Sequence, residues 1–215
     1  MSECDFTRPF AIQFSGSSLA RAILRVLGWR TEFHGLPAAQ GVLVIYPHTS
    51  NWDFVVLVLV KWAFGIPVRF WGKDKLFRVP VLGPWLRWLG GVPVDQTSPQ
   101  GVVGQAVGEL SEACARGAQF WLALAPEGTR RRSAGWRSGF YQTALQSGVP
   151  LGLVRLDYAR REVMLVHFLQ LSGIPDMDFA RIGSVYAGVR GYAPQNAAPI
   201  RLLQASVPQT ESIVK

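Results

Sequence analysis

His48 and Asp53 stand inside the stretch YPHTSNWD (46–53), between the aliphatic runs GVLVIY (41–46) and FVVLVLV (54–60). An imidazole, with an ordinary pKa of about 6.5, suits a general base at neutral pH. A carboxylate five positions later, on the first turn of a helix, can reach back to the imidazole Nδ1–H. That contact fixes the tautomer, leaves Nε2 free to take a proton and stabilises the imidazolium that forms. No G-x-S-x-G elbow occurs, which argues against a hydrolase with its own serine nucleophile. His48 is then expected to deprotonate a hydroxyl or amine of a bound substrate, which attacks an activated carbonyl directly. His34 and His167, read as having no acidic partner nearby in sequence, are taken as structural.

Two further stretches carry charge in a patterned way. In ALAPEGTRRRSAGWRSG (123–139), Pro126 and Gly128 allow a tight turn that exposes backbone N–H groups, and Arg130, Arg131 and Arg132 add positive charge. Such a loop can hold a phosphate, with Arg131 and Arg132 the members read as simply solvated. No Walker A pattern is present. The segment GKDKLFRVPVLGPWLRWLGGVPVDQ (72–96) interleaves Lys73, Lys75, Arg78 and Arg87 with Leu76, Phe77, Trp85, Leu86 and Trp88. That mixture suits an anionic lipid or a stacked single strand of nucleic acid, while the aromatics alone are core material.

These groups need a frame. Residues 41–46, 67–72, 91–95, 118–125, 150–158 and 162–171 read as strands, and 17–29, 52–64, 101–116 and 139–148 as helices. Strands alternating with helices imply an α/β fold, a single domain spanning residues 1–215 with a mostly buried mixed sheet flanked by helices. Residues 46–53 then lie where a central strand ends and a helix begins, the usual place for a site in such sheets. The stretch 72–90, with Pro80, Gly83 and Pro84, reads as turn-rich, and the tail from residue 196 to 215 as weakly structured. Residues 15–30 form an amphipathic segment whose Leu19, Ile23, Val26 and Leu27 share one face and whose Arg21 and Arg25 share another.

The chain has 215 residues, a formal charge of +8 and 49% hydrophobic residues, including eight tryptophans. The charge favours anionic partners, and the arginine and tryptophan content suits a membrane interface. Two cysteines, Cys4 and Cys114, form no metal-ligand or disulfide pattern. No signal peptide is visible, and the longest nearly apolar run, 54–68, is broken by Lys61 and Pro67, short of the ~18–20 residues a spanning helix needs. A peripheral location on the cytoplasmic face of the inner membrane is expected, with no transmembrane helix. An alternative is a basic, non-catalytic protein that binds anionic lipid or single-stranded nucleic acid.

Taken in order, His48-Thr-Ser-Asn-Trp-Asp53, Lys73 through Gln96, Pro126-Glu-Gly-Thr-Arg130 and Val149-Pro150-Leu151 resemble the blocks of the H-x4-D acyltransferases that esterify glycerol phosphates and lysophospholipids. The resemblance spans roughly residues 40–157, and HTSNWD with W-x-S-G-F-Y (136–141) is similar to a subgroup of small bacterial members. It implies a glycerolphosphate-acyltransferase-like fold and transfer of a fatty acyl chain from acyl-CoA or acyl carrier protein to a hydroxyl of a lysolipid. By position it implies His48 as general base and Asp53 as its orienter. Lys73, Glu127, Gly128, Thr129 and Arg130 are implied as substrate-binding residues. No metal or other cofactor and no nucleic-acid partner is expected. The second block closes on Gln96 where the family has an arginine, and an amide lacks the charge and donor fork of a guanidinium. An acceptor other than lysophosphatidic acid is therefore open: another lysolipid, a hydroxy fatty acyl amide or a polyene alcohol.

Overall fold

The structure, a computed structural model, describes residues 10–94 and 101–203, and Lys73 in its backbone only. Asp95 and Gln96 lie outside the described residues. Helix α1 (Ser18–Val26) starts where the Ser17 hydroxyl accepts the N–H of Ala20 at 3.2 Å. Then follow β1 (Arg30–Phe33), β2 (Gln40–Tyr46), α2 (Trp52–Phe64), β3 (Val68–Lys73), α3 (Asp74–Phe77), α4 (Leu82–Trp88) and β4 (Gly91–Val94). The second half comprises α5 (Gly101–Ala115), β5 (Phe120–Leu124), α6 (Gly139–Ser147), β6 (Leu151–Asp157), β7 (Glu162–Leu169) and α7 (Pro175–Val185).

The strands form one seven-stranded mixed sheet in the order β1-β7-β6-β2-β5-β3-β4. Strands β6, β2, β5, β3 and β4 run parallel, β7 returns antiparallel to β6, and β1 lies parallel to β7. Alternation along the central strands sorts side chains to two cores. Leu43, Trp121 and Ala123 face a cluster with Leu24, Val56, Val60 and Phe64 from α1 and α2. Val42, Val44, Leu151 and Leu153 face a second with Leu110, Phe140, Tyr141 and Ile182 from α5, α6 and α7. Burial on both faces explains why these strands read as unbroken aliphatic runs.

The elements β1, α3, α4 and α7 and the short 3-10 helix Pro194–Asn196 were not expected from the sequence. In α4, Pro84 falls in the first turn, where the missing N–H has no intrahelical acceptor to lose. Gly83 lets that turn press on α3, since a Cβ there would sit 2.1 Å from the Phe77 carbonyl oxygen. Of the tail expected to be weakly structured, residues 204–215 lie outside the described residues, and residues 197–203 form no helix or strand but reach the domain through backbone hydrogen bonds. Trp136 is fully buried, donates its N–H to the Arg201 carbonyl at 2.7 Å and accepts the Leu203 N–H at 2.8 Å. Non-local loops take these hydrogen bonds, so the segment has no periodicity of its own.

Helix α1 packs on α2 through buried Ala20 and Leu24. The apolar face expected from spacing points outward, with Leu19 69% and Val26 87% exposed, and Ile23 and Leu27 also open. Among the described residues no helix is long and apolar enough to cross a membrane.

Candidate active site

Because β2, β5, β6 and β3 run parallel, the loops after them meet at one edge of the sheet. Val44 is level with Leu124 and Tyr46 with Arg155. The loop 47–51 after β2 and the loop starting at Ala125 after β5 are therefore neighbours. Tyr158, the first residue after β6, and Lys73, the last of β3, belong to the same edge.

Asp53 is fully buried in the first turn of α2. Its Oδ2 accepts the N–H groups of Thr49 at 2.8 Å and Ser50 at 2.9 Å, so it holds the loop that carries the histidine. The same oxygen lies 3.1 Å from His48 Nδ1, although the imidazole is not aligned for an ideal hydrogen bond. Such looseness is common before substrate binds. Burial alone pushes the Asp53 carboxyl up, but the His48, Ser50 and Tyr158 interactions outweigh it and hold it below the ordinary carboxylate value. The group is an anion wherever the protein is folded near neutrality.

On the other side of the ring, Arg130 Nε lies 3.4 Å from His48 Nε2, and Arg130 Nη1 donates to Asn51 Oδ1. A guanidinium only donates, so this long contact favours a lone pair on Nε2 and the proton on Nδ1, the nitrogen that faces Asp53. That is the tautomer a general base needs.

Glu127 is 1% exposed. Its Oε2 accepts the His48 backbone N–H at 2.6 Å and its Oε1 accepts the Ala198 N–H at 3.0 Å. Burial raises its pKa, and the two N–H donors and His48 oppose that rise without cancelling it. Gly128 has φ +65°, and a Cβ there would meet Arg137 Nε at 2.6 Å. Thr129 accepts the Arg131 N–H at 3.2 Å. Arg131 and Arg132 are exposed.

The structure thus brings together His48, Asp53, Glu127 and Arg130, with the backbone end of Lys73 at the same sheet edge. His34 lies elsewhere, in an exposed pair with Glu32 at 2.8 Å, a partner two residues away that the sequence reading passed over.

A third layer was missed altogether. Residues 190–198 wrap the loop: Tyr158 donates its N–H to the Arg190 carbonyl at 2.8 Å, and the Thr49 hydroxyl accepts the Ala193 N–H at 3.1 Å. A Cβ on Gly191 would fall 2.6 Å from Thr49 Oγ1, which accounts for glycine at that position. Only the glycine and small residues of GYAPQNAAP (191–199) hinted at close packing.

Comparison with known proteins fits this geometry. A family model described as Acyltransferase matches residues 30–154, more than half of the 215. Among solved structures, the 1-acyl-sn-glycerophosphate (LPA) acyltransferase PlsC from Thermotoga maritima is similar at 18% identity and a TM-score of 0.51. The match covers 78% of this chain and 73% of that one, and at this identity it bears on the fold. No curated protein matches the chain.

Proposed function

The chain belongs to the acyltransferase family, and from that premise we propose that it transfers a fatty acyl chain from acyl-CoA or acyl carrier protein to a hydroxyl of a lysophospholipid or related lipid. The observation that carries this reading is the His48 ring, with Nδ1 against buried Asp53 and the Nε2 lone pair turned toward Arg130 at the mouth of the site.

In this mechanism Nε2 removes the proton of the acceptor hydroxyl as its oxygen attacks the thioester carbonyl. Asp53 stabilises the resulting imidazolium. The tetrahedral intermediate collapses, the C–S bond breaks, and the imidazolium returns its proton to the departing thiolate. The new ester and a free thiol leave. Lys73 and loop N–H groups are the candidates to hold the oxyanion, a role that electrostatic preorganisation makes valuable. Arg130, with one side already on Asn51, binds the anionic head group, and Gly128 and Thr129 shape the turn that presents it. Glu127 acts as a brace, since both of its oxygens are engaged by backbone N–H groups.

The acceptor is a lipid of the bilayer, so the enzyme works at a surface. We assign that surface to the exposed face of α1 and its neighbours. Leu19 and Ile23 border a groove shared with Trp62 and Trp88, whose rings meet at 5.8 Å. Arg21, Arg25 and Arg87 supply charge on the same helices or next to them. Apolar and aromatic side chains combined with arginine suit a peripheral seat on an anionic leaflet, the cytoplasmic face of the inner membrane.

The test is release of free thiol from long-chain acyl-CoA, and from acyl carrier protein, with a panel of lysolipid acceptors. Acceptor-dependent release by the wild-type protein that is lost in His48→Ala supports the reading. Release that no acceptor stimulates, or that His48→Ala retains, overturns it.

A further inference from the structure

Asp53 uses its two oxygens unequally. Oδ2 takes the Thr49 and Ser50 N–H groups and faces His48 Nδ1. Oδ1 is just as buried but has no hydrogen bond of good geometry. The Tyr158 hydroxyl, from the loop after β6, is likewise buried and without one. Thr49, whose N–H Asp53 accepts, and Tyr158 are both tied to the segment 190–193, and the phenol and the carboxyl interact: the phenol draws the carboxyl down, and burial together with the carboxylate pushes the phenol well up. Two buried polar atoms short of partners on interacting groups are the natural donor and acceptor of one bond.

The tyrosine is also held to that task. Its backbone N–H is fixed on the Arg190 carbonyl at 2.8 Å. Its ring is clamped edge-to-face between Trp29, at 4.9 Å and 86°, and Tyr192, at 5.4 Å and 80°.

We propose that Tyr158 is a positioning residue: its hydroxyl donates to Asp53 Oδ1, fixes the rotation of the carboxylate, and so keeps Oδ2 aimed at His48 Nδ1. It acts through Asp53 and touches neither substrate. The proposal rests on the acyl-transfer reading for its catalytic consequence, but not for the contact itself. Tyr158 lies just beyond the match to the family model, which ends at residue 154.

Tyr158→Phe removes one oxygen and keeps the clamped ring, so the fold should survive, which thermal melting checks. Hydrogen bonds to a charged group are strong enough to matter here, and the expected loss is about tenfold in kcat with KM changed less than about twofold. A second readout does not depend on activity. The chain has only three histidines, so ring ¹⁵N spectra can be assigned by comparison with His48→Ala. In the wild type the His48 nitrogens should show the Nδ1–H tautomer, and in Tyr158→Phe their shifts should move toward each other as the carboxylate loosens. Tyr192→Phe, which removes the neighbouring hydroxyl, should match the wild type in both. Unchanged His48 shifts in Tyr158→Phe, or the same changes in Tyr192→Phe, overturn the proposal. A wild-type protein with no acyl transfer overturns the acyl-transfer reading instead, while the spectra still decide the role of Tyr158.

Discussion

Glu127 Oε2 accepts the backbone N–H of His48 at 2.6 Å, so the loop after β5 carries the loop after β2 from below. The other oxygen does the same for Ala198, which makes one carboxylate the junction of three segments distant in sequence. Glutamine offers one acceptor where two N–H groups need one each. Glu127→Gln should therefore lose about 1–3 kcal/mol, roughly 2–12 °C in Tm for a chain of this size. Its kcat should fall with the displaced His48. Calorimetry beside the thiol-release assay checks both, and an unchanged Tm would show that the brace is dispensable.

Asp53 and Glu127 should give opposite signatures in pH-dependent stability. The folded Asp53 has a depressed pKa, so its contribution is present above the unfolded value of about 3.9 and is lost as pH falls through the lower folded value. Glu127 has a raised pKa. Its contribution is full below the unfolded value of about 4.3 and declines as pH rises through the higher folded value. Denaturant melts between about pH 2 and pH 7 should show Asp53→Asn flattening the acid end. Glu127→Gln should flatten the adjoining, less acidic window.

At the centre of the site, His48→Ala should reduce acyl transfer by about 10²–10⁴-fold, the usual range for a positioned general base. The circular dichroism spectrum should stay unchanged, because the ring is partly open to solvent and the main-chain bond to Glu127 survives the substitution. Activity within tenfold of wild type would exclude the ring as base.

Arg130 contacts both Asn51 and His48 Nε2 from an exposed position. Arg130→Ala should raise KM for an anionic acceptor about tenfold or more and leave Tm within about a degree. Arg130→Lys should recover only part of the loss, because an ammonium cannot present the planar fork. If KM moves equally for a neutral acceptor, the residue does not read the head group.

The outward face of α1 should bind lipid at little cost to folding. Ile23→Glu combined with Trp88→Glu places charge on two exposed positions of one groove. The pair should abolish flotation with vesicles containing anionic phospholipid and leave Tm nearly unchanged, since surface substitutions usually shift stability by less than about 0.5 kcal/mol. Flotation that survives the pair would place the membrane contact on another face.

Much of the frame was legible in the sequence because it is local. The aliphatic run 41–46 and the cap region before Trp52 sufficed to place β2 and α2, and hence to put His48 and Asp53 at a strand-to-helix junction. The pairing of these two residues followed from helical geometry alone, as did the helices α5 and α6. The residue types of E-G-T-R identified a charged turn after a strand. The outward turn of Leu19, Ile23, Val26 and Leu27 was not legible: periodicity shows that a face is apolar, and only packing on α2 decides whether it is covered.

The assembly of the site was a tertiary decision for the same reason. Parallel pairing of β2 with β5 and β6 set the three loops side by side. Sheet register thereby gave Glu127 two backbone N–H groups to hold, a contact that nothing in its local sequence announces. Residues 190–198 and Tyr158 carry no pattern of their own, because their hydrogen bonds and ring contacts go to partners far away in the chain. Local periodicity records what a residue does with its neighbours in sequence. Support that arrives from 30 to 150 residues away leaves almost no trace there, and the fold alone determines it.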